Sequence, residues 1–125
     1  MKRIAIAAVV LLSVASQVLA DASNEIDHLL DFVRRSDVVF IRNGQEHTPA
    51  EAADHLQKKR EHFRKDIKSA EDFVATSATK SIVSGELYMI RTKDGQTQEC
   101  AKWLLEELKQ FRNKKNAQPS VGKEH

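Results

Sequence analysis

Residues 40–56, FIRNGQEHTPAEAADHL, carry the local signals for a strand, a tight turn and a helix start in immediate succession. Val38 to Ile41 are β-branched or aromatic, which favours a pleated and partly buried strand. Asn43-Gly44 then supplies two residues that tolerate positive φ, as a two-residue type I′ hairpin turn requires. We therefore predict a strand that ends in a tight turn at Asn43-Gly44.

The helix start predicted for this stretch is a capping box. The Thr48 hydroxyl can accept from the backbone N–H of Glu51, while the Glu51 carboxylate can reach back to the backbone N–H of Thr48. Pro49 then occupies the first helical position, where its missing N–H costs nothing. We predict a helix from Thr48 to about Lys68.

The first twenty residues have the pattern of a signal peptide. Lys2 and Arg3 form a basic start, residues 4–12 form an apolar core, and Val18-Leu19-Ala20 is a plausible cleavage signal. An uncleaved anchor is the alternative, but the apolar run is too short for a membrane span. We expect residues 1–20 to be removed, leaving a chain in the periplasm or secreted, with no stable membrane anchor.

Removal of that segment would also change the charge balance. The whole chain has 20 Lys+Arg and 18 Asp+Glu, and loss of Lys2 and Arg3 leaves 18 of each. A nearly neutral chain gives no electrostatic reason to expect nucleic-acid binding. Cys100 is the single cysteine, so no internal disulfide can form. It is either a thiol for intermolecular pairing or, as we prefer, a small apolar side chain in a helix.

The rest of the chain predicts one α+β domain over residues 21–112. Hydrophobic periodicity and turn signals predict five further elements. They are a first helix capped by Ser23 or Asn24, a helix after Ser69, a strand over residues 87–92, a turn at Asp94-Gly95 and a helix over residues 99–112. The chain contains a weak internal repeat, in which Ile41-Arg42 and Ile90-Arg91 are each followed by a turn and a helix. We expect the two Ile-Arg strands to pair.

The predicted architecture is therefore about four helices packed on a small antiparallel sheet of two to four short strands. Residues 113–125 are polar and are predicted to be a disordered tail. Ser69 either begins a separate short helix or marks a kink in the preceding one.

Several short motifs occur together in a recognisable order. They are FIRNG, the A-x-x-H-L of Ala52 to Leu56, SAEDFV from Ser69, the S-G-x-x-Y of Ser84 to Tyr88, Asp94-Gly95 and Trp103-Leu104. As an ordered set over residues 24–112 they resemble a YfeK-like family of small exported bacterial proteins, catalogued as a domain of unknown function. The resemblance implies a periplasmic location and no established activity.

The histidines do not have the spacing of a metal site. His55 and His62 are seven residues apart on one helix, roughly 10 Å by helical rise. That separation is too large for one tetrahedral ion, so we predict no metal and no cofactor, with the histidines facing solvent. The five are His28, His47, His55, His62 and His125.

Arg42, Ser84, Tyr88 and Arg91 are the candidate ligand-binding residues. If the two Ile-Arg strands pair, both guanidinium groups and the tyrosine could approach one edge of the sheet, where they would suit a carboxylate or a phosphate. The alternative, which we prefer, is that both arginines form structural ion pairs with Glu71, Asp72 or a neighbouring carboxylate.

Two functions are compatible with these features. The first is a non-enzymatic module of the cell envelope that binds an envelope protein or a small anionic ligand. The second is a small hydrolase or transferase that uses Ser84, His55 or Glu71. Because no nucleophile, base and orienting group can be assigned together, no catalytic residue is predicted and the first function is preferred.

Overall fold

The computed structural model describes the backbone of residues 2–117 and the side chains of residues 18–117. It contains four α-helices, four short strands and one 3-10 turn. In chain order they are α1 (Lys2–Arg35), β1 (Val39–Arg42), β2 (Gln45–His47), α2 (Pro49–His62), the 3-10 turn (Arg64–Asp66), α3 (Ala70–Ser77), β3 (Met89–Arg91), β4 (Thr97–Glu99) and α4 (Cys100–Ala117).

The four strands form one antiparallel sheet in the order β2-β1-β3-β4. The two central strands contain the two Ile-Arg pairs, so the predicted strand pairing and the α+β fold class are both confirmed. Their register sets Phe40 opposite Ile90 and Ile41 opposite Met89. Each central strand also pairs with the short strand that follows it, and each such hairpin leads directly into a helix.

The local signals around the first hairpin are confirmed. Asn43 and Gly44 have φ values of 53° and 75°, and Arg42 pairs with Gln45 across a two-residue turn. Thr48 and Glu51 form the complete capping box, and Pro49 opens α2. The second turn is also present, with Gly95 at φ 87°.

The hydrophobic core lies between the sheet and the helices. Phe40 and Ile90 enter it from the central strands, and the buried stripes of the four helices enclose them. The fully buried members with the largest side chains are Phe73, Leu29, Ile90, Leu104 and Leu108. Trp103 lies at the margin of this core, with its ring against those of Phe32 and Phe40.

Two predicted helix boundaries are wrong. The helix predicted to run to Lys68 ends at His62, and a 3-10 turn separates it from α3. Ser69 caps α3, because its hydroxyl accepts from the backbone N–H of Asp72, so the separate short helix is the correct alternative. The last helix continues to Ala117, so residues 113–117 are not a disordered tail. Residues 118–125 of that predicted tail lie outside the described residues.

The first helix also differs from its prediction. It runs without a break from Lys2 to Arg35, so no helix start occurs at Ser23 or Asn24. Its second half has an apolar stripe, with Ile26, Leu29 and Val33 buried and Leu30 half-buried. Across the part of the chain that was described, no helix has both the length and the apolar character needed to span a membrane.

Candidate functional site

A cleft lies between the β1–β2 hairpin and the first half of α2, and we call it the α2 cleft. Its volume is about 370 Å³. This is within the size range of small-molecule sites, which combine apolar walls with a few polar groups. The apolar walls are Phe40, Ala52, Leu56, Met89 and Cys100. The polar groups are Arg42, His47, Glu51, Asp54, His55, Lys58 and Tyr88.

Strand and helix periodicity explain why these side chains meet. Alternate residues of a strand face the same side of a sheet, so Arg42 lies on the same face as the buried Phe40. Continuing the β1–β3 register by one residue places Tyr88 opposite Arg42. Because residues three or four apart share one face of a helix, α2 presents His55 and Lys59 together above these strands.

Arg42 lies against the ring of His55. Its Nη1 atom is 3.0 Å from Nδ1 and 3.1 Å from Nε2 of that imidazole. Since Cε1 lies between the two ring nitrogens, a donor equally close to both cannot lie in the ring plane without colliding with Cε1. The guanidinium nitrogen is therefore over the ring face, and the remaining N–H donors of the fork are available to another acceptor.

Tyr88 connects His55 to a buried lysine. The Lys59 ammonium is 3.1 Å from the Tyr88 hydroxyl oxygen and also donates to the backbone carbonyl of Lys80 at 3.2 Å. An ammonium group can only donate, so the Tyr88 oxygen accepts from Lys59. The Tyr88 hydroxyl can then donate to Nε2 of His55, 3.2 Å away.

The environment of His55 keeps its imidazole neutral. Burial lowers the pKa of His55 to about 4, and the positive charges of Arg42 and Lys59 act in the same direction. Desolvation and nearby like charges both disfavour the protonated ring. The nearby cations, which add to the effect of burial on His55, create a positive electrostatic potential at this end of the cleft.

That positive potential has no acidic counterpart. Among the residues whose side chains are described, no Asp or Glu lies within salt-bridge distance of Arg42, Lys58 or Lys59. Lys59 is only 8% exposed, so water does little to screen it. A buried charge normally has a partner of opposite sign. Among the described residues these cations have no such partner, so an anion bound in the cleft could take that position.

The two acids of the cleft are engaged elsewhere. Glu51 accepts from the backbone N–H of Thr48 as part of the capping box. Asp54 pairs with Arg34 on α1 at 2.8 Å. Both carboxylates are exposed at the rim, so neither neutralises the cations deeper in the cleft.

The predicted binding residues are only partly brought together. Arg42 and Tyr88 meet in the α2 cleft. Arg91 lies one residue after the buried Ile90, so it faces the opposite side of the sheet, where it pairs with Glu46 at 2.7 Å. Ser84 lies in the loop before Tyr88, where its hydroxyl donates to the Asn43 side chain. The two guanidinium groups therefore do not share one edge of the sheet.

The preferred ion-pair alternative holds for one arginine only. Arg91 has a neighbouring carboxylate, as that alternative requires, and Arg42 has none among the described residues. Glu71 instead binds Arg112, and Asp72 accepts from the backbone N–H of Lys68.

The residues proposed for the hydrolase alternative have separate partners. Ser84 is bonded to Asn43, His55 to Arg42 and Tyr88, and Glu71 to Arg112. No hydrogen bond joins any two of Ser84, His55 and Glu71 in the described part of the chain. They do not form a hydrogen-bonded triad.

The histidines differ from their predicted exposure. His62 is exposed as expected, whereas His28, His47 and His55 are half-buried; His125 lies outside the described residues. His28 binds Glu107 at 2.7 Å and stacks on Phe111. Among the described side chains, no three His, Cys, Asp or Glu residues are placed to hold a metal ion.

Cys100 is the first residue of α4 and is almost fully buried, as the apolar alternative predicts. Burial raises the pKa of the Cys100 thiol to about 12, so the side chain is a protonated part of the core.

Lys59 is the site residue that sequence reasoning missed. The buried residues of α2 are Ala52, Ala53, Leu56 and Lys59. Lys59 lies three residues after Leu56, which lies four after Ala52, so it continues the helical spacing of the buried face. Arg60 reaches Asp27 on α1 at 2.7 Å. The helical spacing alone could have identified Lys59.

Comparisons with known proteins agree with the resemblance seen in the sequence. The model described as "Family of unknown function (DUF5329)" matches residues 20–112. The "Uncharacterized protein YfeK" of Salmonella typhimurium strain LT2 is 34% identical over 92 residues, which cover 70% of this chain and 77% of that protein. No solved structure matches the chain significantly. The chain therefore belongs to the family of unknown function DUF5329.

Proposed function

We propose that this protein is a non-enzymatic binding protein of the cell envelope whose α2 cleft holds a small anionic ligand. The observation that carries the proposal is the half-buried Arg42, which has no carboxylate partner among the described residues and faces a cleft of about 370 Å³. The acidic group of the ligand would occupy the place of that missing carboxylate. A guanidinium fork binds carboxylates and phosphates through paired hydrogen bonds.

Two neighbouring groups support an anion at this position. Lys59 contributes a buried positive charge behind Tyr88, and Lys58 adds an exposed one at the rim. The low pKa of His55 has these cations among its causes, so an anion placed beside Arg42 would be electrostatically favoured. The apolar walls would accept a short hydrocarbon portion of the same ligand.

The location in the periplasm or outside the cell is part of this proposal. It is supported by the basic start, apolar core and Val18-Leu19-Ala20 cleavage pattern of the first twenty residues. Detection of the tagged protein in a periplasmic extract, shortened to begin at Asp21, tests this part. A full-length product retained in the cytosol would contradict it.

The binding proposal is tested by titrating the full chain with succinate and with inorganic phosphate while recording NMR shifts of the His55 and Arg42 side chains. We expect saturable shifts with at least one of the two anions. Because a hydrogen bond to a charged group contributes about 1.5–3 kcal/mol, Arg42→Gln should weaken binding by roughly ten- to a hundredfold.

Arg91→Gln is the matched control, because Arg91 lies on the opposite face of the sheet and already has Glu46 as its partner. This variant should bind as the unmodified protein does. Equal binding by the Arg42 and Arg91 variants, or no saturable shift with either anion, would refute the proposal.

A further inference from the structure

We propose that the ligand of the α2 cleft carries a hydrogen-bond donor, a hydroxyl or an ammonium group, close to its acidic group. The acidic group would bind Arg42 and the donor would bind Nε2 of His47. This inference rests on the proposed function, because it names the chemical class of ligand that the same cleft would take.

The starting point is an unsatisfied polar atom. Nε2 of His47 is buried and has no hydrogen-bond partner; it is the one such side-chain atom among the described residues. Buried polar atoms are nearly always hydrogen-bonded, so an exception indicates a missing partner. His47 also lines the α2 cleft, although Nε2 itself has almost no accessible surface, so a ligand that turns this ring or displaces the atoms covering it could supply that partner.

The surroundings of His47 indicate that the partner is a donor. Nδ1 of His47 lies 3.7 Å from Oε1 of Glu51. That oxygen is held in place by the capping box, since it accepts from the backbone N–H of Thr48 at 3.0 Å. A carboxylate beside Nδ1 favours the tautomer with the proton on Nδ1, which leaves Nε2 with a lone pair.

The sheet register brings His47 and Arg42 to the same surface. His47 is opposite Phe40, and Arg42 is two residues beyond Phe40, so both side chains project from the face that borders the cleft. Diagonal neighbours on a sheet face are about 7–8 Å apart. One small molecule can span that distance when its acidic group and its donor are separated by only a few bonds.

The hydroxyl and ammonium forms of the donor differ in one respect. Glu51 lies beside His47, so an ammonium group bound there would gain electrostatic attraction that a hydroxyl group would not. Hydroxy acids and amino acids therefore share the required chemistry, and an experiment can separate them.

The test compares three acids of nearly equal size on the full chain by NMR titration: butanoate, 2-hydroxybutanoate and 2-aminobutanoate. Because one additional neutral hydrogen bond is modest in free energy, we expect one or both substituted acids to bind roughly two- to tenfold more tightly than butanoate. The ¹⁵N shift of His47 Nε2 should move with the substituted acids and not with butanoate. If 2-aminobutanoate binds more tightly than butanoate and 2-hydroxybutanoate does not, the donor of the ligand is an ammonium group.

His47→Phe should remove the preference of the substituted acids over butanoate, since it deletes the acceptor but keeps a flat ring. His62→Phe is the control, because His62 is exposed at the end of α2 outside the cleft. The comparison of acids in the unmodified protein does not depend on either variant folding.

Equal affinities for the three acids, with butanoate bound in an Arg42-dependent manner, would overturn this inference and leave the proposed function standing. A preference that persists in His47→Phe would also overturn it. If no acid and no phosphate binds, the proposed function fails and this inference fails with it.

Discussion

Nη1 of Arg42 lies 3.0 Å from Nδ1 of His55, over an imidazole that burial and the surrounding positive charge keep neutral. An arginine at the centre of a sheet would ordinarily pair with a carboxylate, as Arg91 does with Glu46 on the opposite face. Arg42 instead faces a cleft, with Lys59 buried nearby. The same dipeptide, Ile-Arg, thus gives one structural ion pair and one guanidinium group available to a ligand.

The first prediction concerns the stability of Arg42→Gln. This substitution removes a contact with His55, but it also removes a positive charge close to Lys59. Because the two effects oppose each other, the free energy of unfolding should change by less than about 1 kcal/mol. Urea denaturation followed by circular dichroism measures this. A loss of several kcal/mol would show that Arg42 is a structural residue.

The second prediction concerns Arg112→Gln, which should be much more damaging. Arg112 binds Glu25 on α1 at 2.8 Å and Glu71 on α3 at 2.7 Å, so it joins three helices. Hydrogen bonds to Arg112 lower the pKa of Glu71. Losing bonds to two carboxylates, of which Glu25 is only 13% exposed, should cost about 2 kcal/mol of unfolding free energy in urea denaturation.

Arg35→Gln is the control for Arg112, since Arg35 makes an exposed pair with Asp31 within α1. Its loss should cost less than about 0.5 kcal/mol. If the two variants are equally stable, the junction at Arg112 has no special role.

Local signals in the sequence predicted the fold well. The turn at Asn43-Gly44, the capping box at Thr48 and the cap at Ser69 each depend on a few neighbouring residues, and all three are present. The pairing of the two central strands was also predicted, because each Ile-Arg pair precedes a turn and a helix.

The face of the sheet on which Arg91 lies could not be predicted from the internal repeat, because the repeat and the strand register differ by one residue. The repeat aligns Ile41 with Ile90, whereas the register sets Phe40 opposite Ile90. A shift of one residue moves a strand side chain to the other face of the sheet. Register depends on packing across the whole core, and no local pattern in this chain specifies it. The orphaned Nε2 of His47 is likewise visible only once Glu51 and the cleft are in place.

The third prediction concerns the first turn. Gly44→Ala should reduce stability by about 1–2 kcal/mol, because Gly44 has φ 75° and a left-handed backbone is unfavourable for alanine. No atom lies within 4 Å of the added methyl group, so the cost comes from the backbone and not from a collision. Gly44→Asn is the matched control and should cost less, since asparagine tolerates this conformation. Equal thermal stability of the two variants in a melting experiment would contradict this explanation.

The fourth prediction is a pH dependence due to His55. The pKa of His55 is lowered from 6.5 to about 4 in the folded protein. Between these two pH values the unfolded chain binds a proton that the folded chain does not. The free energy of unfolding is therefore highest above pH 6.5 and decreases progressively as the pH falls towards 4. The lowered pKa values of Glu71 and Asp94 affect stability mainly below pH 5, so the interval from pH 6.5 to 5 reports chiefly on the histidine.

Urea denaturation at several pH values in that interval measures the effect. The unmodified protein should lose stability as the pH falls, and His55→Gln should lose markedly less because it has no proton to take up there. His62→Gln is the control, since His62 is exposed, and it should retain the slope of the unmodified protein. Identical slopes for the His55 variant and the unmodified protein would show that His55 titrates normally. The combined effect of burial and neighbouring positive charge on His55 would then be refuted.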